Sequence, residues 1–130
     1  MLDYSQEELQ RLGADITTRE IYQQPEVWQE AFEHYKAQAA DIAAFLKKIE
    51  DKHDYIKVIF AGAGSSAYVG DTLTPYFRKI YDERKWNFNA IATTDIVANP
   101  LVHLKREVPT VLVSFARSGN SPESVATVDL

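Results

Sequence analysis

Two short segments of the sequence combine glycine with hydroxyl-bearing side chains. Residues 62–66 read GAGSS, and residues 117–121 read RSGNS. Serine hydroxyls, the N–H groups of glycine-rich turns and an arginine are donors that proteins use to hold phosphate groups. The chain has only five glycines, and three of them lie in these segments. We therefore expect the two segments to bind a small phosphorylated ligand.

Each segment comes directly after a predicted β-strand. A short, largely apolar and β-branched run over residues 55–61 is typical of a strand buried on both faces, and Thr110–Phe115 is the clearest strand in the chain. Another strand is predicted over residues 88–93. Because parallel strands end at the same edge of a sheet, the two segments should meet where open α/β sheets bind their ligands.

A helix is predicted after each strand. The first contains Pro75, whose ring should kink or break it. The second is short and covers residues 95–98. The third begins with Ser121 as the N-cap, Pro122 as the first helical residue and Glu123 as an acid that the positive end of the helix favours.

The N-terminal part of the chain is predicted to be helical. Ser5 and Glu8 have the spacing of a capping box, and a short second helix should start at Thr17 or Thr18. A long amphipathic helix is predicted from Pro25 to about residue 50. Its apolar residues recur every three or four positions: Trp28, Ala31, Phe32, Tyr35, Ala39, Ile42, Phe45, Leu46 and Ile49.

The order of the elements predicts the fold class. Three strands that alternate with three helices indicate an α/β protein with a parallel sheet and right-handed crossovers. We expect residues 1–50 to form a helical N-terminal segment and residues 51–130 to form the first part of the α/β domain. Since such sheets usually contain about five or six strands, the domain is expected to be incomplete at Leu130.

The glycines and serines of the first segment are also compatible with roles other than binding a phosphorylated ligand. For residues 62–66 alone, helix capping accounts for the composition as well as ligand binding does. The pattern GxGxxA over residues 62–67 matches a dinucleotide-binding fingerprint, which expects an acid about 20 residues later. Asp95 lies about 30 residues beyond these glycines, later than that fingerprint expects. The second segment, with its cation, hydroxyls and amide, favours phosphate binding by both segments together.

The composition excludes several classes of protein. The chain has 130 residues, a net charge of −5 and no cysteine, so it contains no disulfide and no thiol nucleophile. An acidic chain without a basic stripe is a poor partner for nucleic acid or an anionic membrane. No secretory signal or membrane-spanning segment is predicted, and a cytoplasmic location is expected. We expect no cofactor and no metal, because the three histidines lack partners at metal-ligand spacing.

The two segments resemble the signatures of the sugar isomerase (SIS) domain, a phosphosugar-binding module. These signatures are a Gly-x-Gly-x-Ser turn after the first strand and a Ser-Gly-x-Ser/Thr-x-Glu/Asp turn after a later one, matched here by residues 62–66 and 118–123. The stretches GAGSSAYVGDTLTPYF and VSFARSGNSPESV are most similar to the AgaS-type branch, known as tagatose-6-phosphate ketose/aldose isomerases. The segment REIYQQPEVW resembles the helical lead-in of that branch and of isomerising glucosamine-6-phosphate synthases.

The resemblance implies a three-layer αβα fold of the flavodoxin or Rossmann type and a phosphate-binding site. The full set of expected binding residues is Gly64, Ser65, Ser66, Arg117, Ser118, Gly119, Asn120 and Ser121. Ala116 departs from the synthases, which carry a ligand-binding serine at that position. The catalytic groups of the family lie in a second SIS half, so they are expected beyond Leu130.

The resemblance also implies the function. The chain is expected to be the phosphosugar-binding SIS domain of an aldose/ketose isomerase of the tagatose-6-phosphate type. The full-length enzyme is expected to form a homo-oligomer, and this chain alone is expected to be inactive. Two alternatives stay open. One is an amino-sugar-phosphate deaminase/isomerase that acts on galactosamine 6-phosphate, and the other is a non-catalytic phosphosugar sensor.

Overall fold

The structure, a computed structural model, describes residues 4–130. The chain divides into two compact units, one up to Leu46 and the other from Lys47 to Leu130. In chain order the described residues form α1 (Gln6–Arg11), α2 (Asp15–Tyr22), α3 (Gln24–Lys52), β1 (Ile56–Gly62), α4 (Ser65–Ile80), β2 (Trp86–Ala92), α5 (Thr93–Ala98), α6 (Pro100–His103), β3 (Thr110–Phe115) and α7 (Pro122–Asp129).

The first two helices begin at residues that satisfy or favour their N-termini. The capping box of α1 is confirmed: the Ser5 hydroxyl accepts the Glu8 N–H at 3.2 Å, and the Glu8 carboxylate accepts the Ser5 N–H at 2.7 Å. The predicted start of the second helix at Thr17 or Thr18 is wrong. Helix α2 begins at Asp15, an acid that the positive end of a helix favours, and Thr18 is buried within it.

The predicted long helix is confirmed as α3, which extends from Gln24 to Lys52. The apolar face that predicted this helix is exposed over most of its length, whereas Ile49, near its end, packs against the core of the sheet. No residue of α3, all of which the structure describes, is buried. The helix therefore presents a large apolar surface.

The second unit is built on a parallel three-stranded sheet in the order β2-β1-β3. The residues of β3 are those predicted, and β1 and β2 lie within two residues of their predicted positions. From β1 the chain passes first to β2, on one side of β1, and then to β3, on the other side. The winding therefore reverses between β1 and β3, and open α/β sheets bind ligands outside the carboxyl ends of the strands at such a reversal.

Helices pack on both faces of the sheet because β1 is apolar on both of its faces. Val58 and Phe60 form a cluster with Leu73 of α4. Ile59, which points to the opposite face, packs with Ile96 of α5. Successive side chains of a strand alternate between faces, so this one strand supports both helical layers, and the three-layer αβα arrangement is confirmed.

Pro75 was predicted to kink or break the helix after β1, and the break is wrong, because α4 continues through the proline. The helix continues to Ile80, and the side chains of Leu73 and Phe77, on either side of the proline, pack against the core. A proline inside a helix costs about 3 kcal/mol. An apolar side chain contributes about 1.5–3 kcal/mol when fully buried. Leu73 and Phe77 are partly buried, so their packing on the sheet offsets part of that cost.

The short helix predicted near residues 95–98 is confirmed as α5, and one further turn was missed. Pro100 ends α5 but then serves as the first residue of α6. A proline at the first helical position costs no hydrogen bond, because the backbone N–H that proline lacks would have no partner within the helix.

The two outer strands differ in what lies beside them. The Arg78 guanidinium donates two hydrogen bonds to the carbonyl of Phe88 in β2, at 3.0 and 2.7 Å. Beside β3, a groove of about 560 Å³ is lined largely by apolar side chains that include Leu104, Leu112 and Val128. The groove is also lined by the cations Lys105 and Arg106, so charged side chains adjoin both outer strands, but only β3 has a largely apolar groove beside it.

Candidate functional site

The loops after β1 and β3 start next to each other. Gly62, the last residue of β1, pairs with Phe115, the last residue of β3, and paired strands lie about 4.8 Å apart. Each loop leads into a helix, α4 at Ser65 and α7 at Pro122. Two helix N-termini therefore lie at the same edge of the sheet.

One cavity of about 280 Å³ is lined by residues of both loops. Six of the eight predicted binding residues form part of its wall: Ser65, Ser66, Arg117, Ser118, Gly119 and Ser121. The other wall residues are Ala63, Phe115, Ala116, Glu123 and Ser124. The structure thus brings Ser66 and Ser118, from different loops, to a common cavity. Gly64 and Asn120 lie outside its wall.

Gly64 and Gly119 shape the loops through their backbone conformations. Their φ angles are +57° and +69°, in the left-handed region that other residues enter only with strain. Gly64 is also the N-cap of α4. This accounts for a glycine at position 64 even though it does not line the cavity.

Gly62 allows the first turn of α4 to lie directly against the end of β1. A methyl group at this position would come within 2.6 Å of both the carbonyl carbon and the carbonyl oxygen of Ser66. Any other residue would push the start of α4 away from the strand. Gly62 is therefore a spacer that sets the position of Ser66.

The hydroxyl of Ser118 supports its own loop. Its oxygen accepts the backbone N–H of Asn120 at 3.3 Å. Because a hydroxyl can donate and accept at the same time, this bond leaves the Ser118 proton available to a ligand. Asn120 contributes to the loop through its backbone, and its side chain is exposed.

Ser121 is the N-cap of α7, as predicted, but its side chain makes an unexpected contact. Its hydroxyl donates to Oγ of Ser124 at 2.8 Å instead of accepting an N–H from the first turn. Ser124 is buried, with 7% of its surface exposed, and it was not predicted as a site residue. Its position three residues after Ser121, on the same side of the helix, is the signal that could have identified it.

The cavity wall carries both signs of charge. Arg117 supplies the positive charge, and Glu123 supplies the negative charge. Hydrogen bonding from the Ser121 side chain, and then from the backbone N–H of Glu123 itself, lowers the pKa of the Glu123 carboxyl below its usual value. A hydroxyl has one proton, so the bonds from Ser121 to Glu123 and to Ser124 compete. Glu123 is consequently a charged carboxylate at neutral pH and, as expected, lies in the first turn of α7.

The N-termini of α4 and α7 give the cavity its capacity for an anion. Within residues 4–130, no side-chain oxygen of either N-cap residue accepts a first-turn N–H. The positive end of a helix dipole stabilises a bound anion. The dipole is the main contribution of α7, because Pro122 has no N–H, the Glu123 N–H faces its own carboxylate and the Ser124 N–H donates to the Ser121 carbonyl. With serine hydroxyls from both loops and one arginine, the site can hold a small anionic group.

The described part of the chain contains neither a metal centre nor a membrane span. Among residues 4–130, no cluster of three or more His, Asp or Glu side chains could hold a metal ion. The same residues include no helix that is long and apolar enough to cross a membrane.

Sequence comparisons link the chain to a set of sugar-phosphate enzymes. No family model matches it. It is 42% identical over 126 residues to D-galactosamine-6-phosphate deaminase AgaS from Shewanella sp. (strain ANA-3), a match that covers 97% of this chain and 32% of the relative. The homologues of this chain are AgaS-type proteins. The Escherichia coli protein of the same name is 40% identical over 114 residues, which are 88% of this chain and 29% of that protein.

Solved AgaS-type structures share the fold. A protein described as a tagatose-6-phosphate ketose/aldose isomerase from Clostridium novyi matches 97% of this chain with a TM-score of 0.85 and 42% identity. The tagatose-6-phosphate ketose/aldose isomerase from Escherichia coli matches 85% of the chain with a TM-score of 0.73 and 36% identity. The matches cover 31% and 29% of those chains. The chain has the α/β fold of SIS-type isomerases and spans about a third of the length of its AgaS-type relatives.

Gly62→Ala tests the close contact between β1 and α4. The added methyl group would clash with backbone atoms of Ser66, which cannot rotate away as a side chain can. We expect a loss of about 1–3 kcal/mol in the free energy of unfolding, measured by urea denaturation. Asp71→Ala, an exposed change in the same helix, is the control and should change stability by less than about 0.5 kcal/mol. If Gly62→Ala were as stable as the wild type, the close packing would be refuted.

Proposed function

We propose that the cavity between the loops after β1 and β3 binds the phosphate group of a sugar phosphate. The chain would then be the phosphosugar-binding domain of a sugar-phosphate isomerase-type enzyme. The observation that carries this proposal is that Ser66 and Ser118, from separate loops, line one cavity at the N-termini of α4 and α7. The names of the relatives, which refer to a hexosamine 6-phosphate and a hexose 6-phosphate, support the same ligand class.

The distribution of charge in the wall suggests where the phosphate lies. Two unit charges of the same sign 4 Å apart repel by about 4 kcal/mol near a protein surface. The phosphate should therefore bind on the side of Arg117, Ser118 and Ser66, away from the Glu123 carboxylate. Charge-assisted hydrogen bonds from hydroxyl and guanidinium groups would hold it there.

Holding the phosphate contributes to the reaction by positioning the other end of the sugar. Interconversion of an aldose and a ketose moves a proton between C2 and C1 through an enediolate, and a base must lie within about 3 Å of that proton. A fixed 6-phosphate keeps C1 and C2 at a constant distance from such a base, because the binding energy at the phosphate orients the rest of the sugar. The phosphate itself does not react.

We place the groups that move the proton outside this cavity. Among the described residues of its wall, Glu123 is the one carboxylate, and it already interacts with Ser121 and with the first turn of α7. This chain alone is therefore expected to bind the sugar phosphate but not to turn it over.

Two reactions fit this phosphate site. In the isomerase of the tagatose-6-phosphate type, the proton shift between C2 and C1 completes the reaction. In a galactosamine-6-phosphate deaminase, the same shift converts the amino sugar to an imine, and water then replaces the nitrogen to give the ketose phosphate and ammonia. The names of the curated relatives favour the second reaction, and those of the solved structures favour the first.

Ligand-dependent melting tests the phosphate site. Hexose or hexosamine 6-phosphates should raise the melting temperature of the chain, because a ligand that binds only the folded state stabilises it. The unphosphorylated sugars should have little effect, since they lack the group that the cavity holds. Differential scanning fluorimetry with matched pairs of sugars measures this difference. Equal shifts for both members of a pair would contradict a phosphate-binding cavity.

Ser118→Ala tests the contribution of one hydroxyl. We expect phosphosugar affinity to fall by about 1–2 kcal/mol, as for the loss of one hydrogen bond to a charged group, measured by isothermal titration calorimetry. Ser114→Ala is the matched control, because Ser114 is exposed on β3 and does not line the cavity. Unchanged affinity in Ser118→Ala would remove this residue from the site.

An assay of the full-length gene product distinguishes the two reactions. Incubation with galactosamine 6-phosphate releases ammonia if the enzyme is a deaminase, because the nitrogen leaves when water adds to the imine. An isomerase of the tagatose-6-phosphate type instead interconverts the ketose and aldose phosphates without ammonia. An enzymatic ammonia assay run beside a ketose assay gives a different result for each reaction. If neither galactosamine 6-phosphate nor tagatose 6-phosphate reacts, both assignments are wrong.

A further inference from the structure

The hydroxyls of Ser121 and Ser124 form a pair in the wall of the cavity. Their oxygens lie 2.8 Å apart, and both residues line the cavity. Ser124 is buried, whereas Ser121 is half-buried. Among residues 4–130, Ser121 is the one residue whose side chain forms a hydrogen bond with the Ser124 hydroxyl. The buried hydroxyl therefore depends on Ser121 for its hydrogen bonding.

This pairing takes the place of the usual capping bond of an N-terminal serine. A serine at the N-cap usually accepts the backbone N–H of the residue two or three positions later. In α7 the Ser124 N–H donates instead to the backbone carbonyl of Ser121 at 3.0 Å. In the described part of the chain, the Ser121 side chain accepts no N–H from the first turn of α7. The Ser121 hydroxyl is thus free of the capping role and lies beside the Ser124 hydroxyl.

A hydrogen bond between two hydroxyls can run in either direction. Each hydroxyl has one proton and can donate and accept at the same time, and an oxygen–oxygen distance of 2.8 Å suits both directions. If Ser121 donates, its proton is used within the pair. If Ser124 donates, the buried hydroxyl keeps its partner and the Ser121 proton is available to an anion in the cavity.

We propose that Ser124 is a positioning residue that donates to Ser121, so that the Ser121 hydroxyl can donate its own proton to a bound phosphate. This inference rests on the phosphate site proposed above. A charged acceptor forms a stronger hydrogen bond than a neutral hydroxyl does, so a bound phosphate favours this direction. Each bond in such a chain polarises and strengthens the next. Ser124 thus contributes to binding without touching the ligand.

The Glu123 carboxylate is the acceptor that the phosphate replaces. In the unliganded chain it receives a hydrogen bond from the Ser121 side chain and another from its own backbone N–H. When the phosphate takes the Ser121 proton, the carboxylate keeps the backbone bond and remains partly exposed to water. The exchange therefore leaves no buried, unpaired charge.

A double-mutant cycle of ligand affinity tests the role of Ser124. Isothermal titration calorimetry with galactosamine 6-phosphate compares the wild type, Ser124→Ala, Ser121→Ala and the double variant. Ser124→Ala alone should weaken binding by about three- to tenfold, as for the loss of one hydrogen bond. In the Ser121→Ala background the same change should weaken binding by less than about twofold, because Ser124 then has no hydroxyl to orient. Inorganic phosphate, which carries only the group that Ser121 would hold, should show the same coupling.

Thr127→Val is the matched control. It removes another buried hydroxyl from α7, one that donates to the backbone carbonyls of Glu123 and Thr93 and does not line the cavity. Its affinity for both ligands should stay within about twofold of the wild type, because the two sites share no partner in the cavity. Far-UV circular dichroism verifies that each variant keeps its helices.

The outcomes separate the positioning role from the phosphate site itself. Equal losses from Ser124→Ala in both backgrounds would mean that Ser124 does not act through Ser121, and would overturn the positioning role. Unchanged affinity in Ser124→Ala would also overturn it but leave the phosphate site intact, provided that the wild type binds the ligand. A wild type that binds neither galactosamine 6-phosphate nor inorganic phosphate would overturn both proposals.

Discussion

The parallel pairing of β1 with β3 is the constraint on which the site depends. The register sets Gly62 beside Phe115, so both strands end at the same level and both loops start one strand spacing apart. The winding of the sheet reverses at this point, which leaves a crevice between the two loops instead of a crossover above them. Slippage of β3 by one residue would turn its side chains to the opposite faces of the sheet and displace the second loop.

The geometry of the cavity is set by backbone as much as by side chains. Gly62 lets α4 approach β1 closely, and Gly64 and Gly119 bend the two loops with positive φ angles. The Ser118 hydroxyl lies beside one of these bends, and the Ser66 hydroxyl lies in the first turn of α4, directly after the other. Because the donors are placed before any ligand arrives, a bound anion would not have to order them, and preorganisation of this kind improves affinity. In the proposed site, the Glu123 carboxylate would limit the part of the cavity that an anion can occupy.

Much of this arrangement could be predicted from sequence because its signals are local. Apolar runs identified the three strands, with β3 placed to the residue, and glycine–serine turns identified the two loops whose residues share the cavity. Features that depend on tertiary packing were missed. The sequence does not reveal that core contacts carry α4 through Pro75, nor that Ser124 and Glu123 complete the cavity wall. The periodicity of α3 predicted a helix correctly, but periodicity alone cannot show that the apolar face is left open.

The two flanks of the sheet are unequal. An incoming strand on the β2 flank would have to displace the Arg78 guanidinium from the Phe88 carbonyl. Such a barrier is of the kind that protects edge strands from non-native pairing. On the β3 flank, the groove beside Leu112 and Val128 offers apolar surface to the side chains of a newcomer. A strand added by another polypeptide would thus meet a largely apolar groove on the flank next to the crevice and a hydrogen-bonded guanidinium on the other flank.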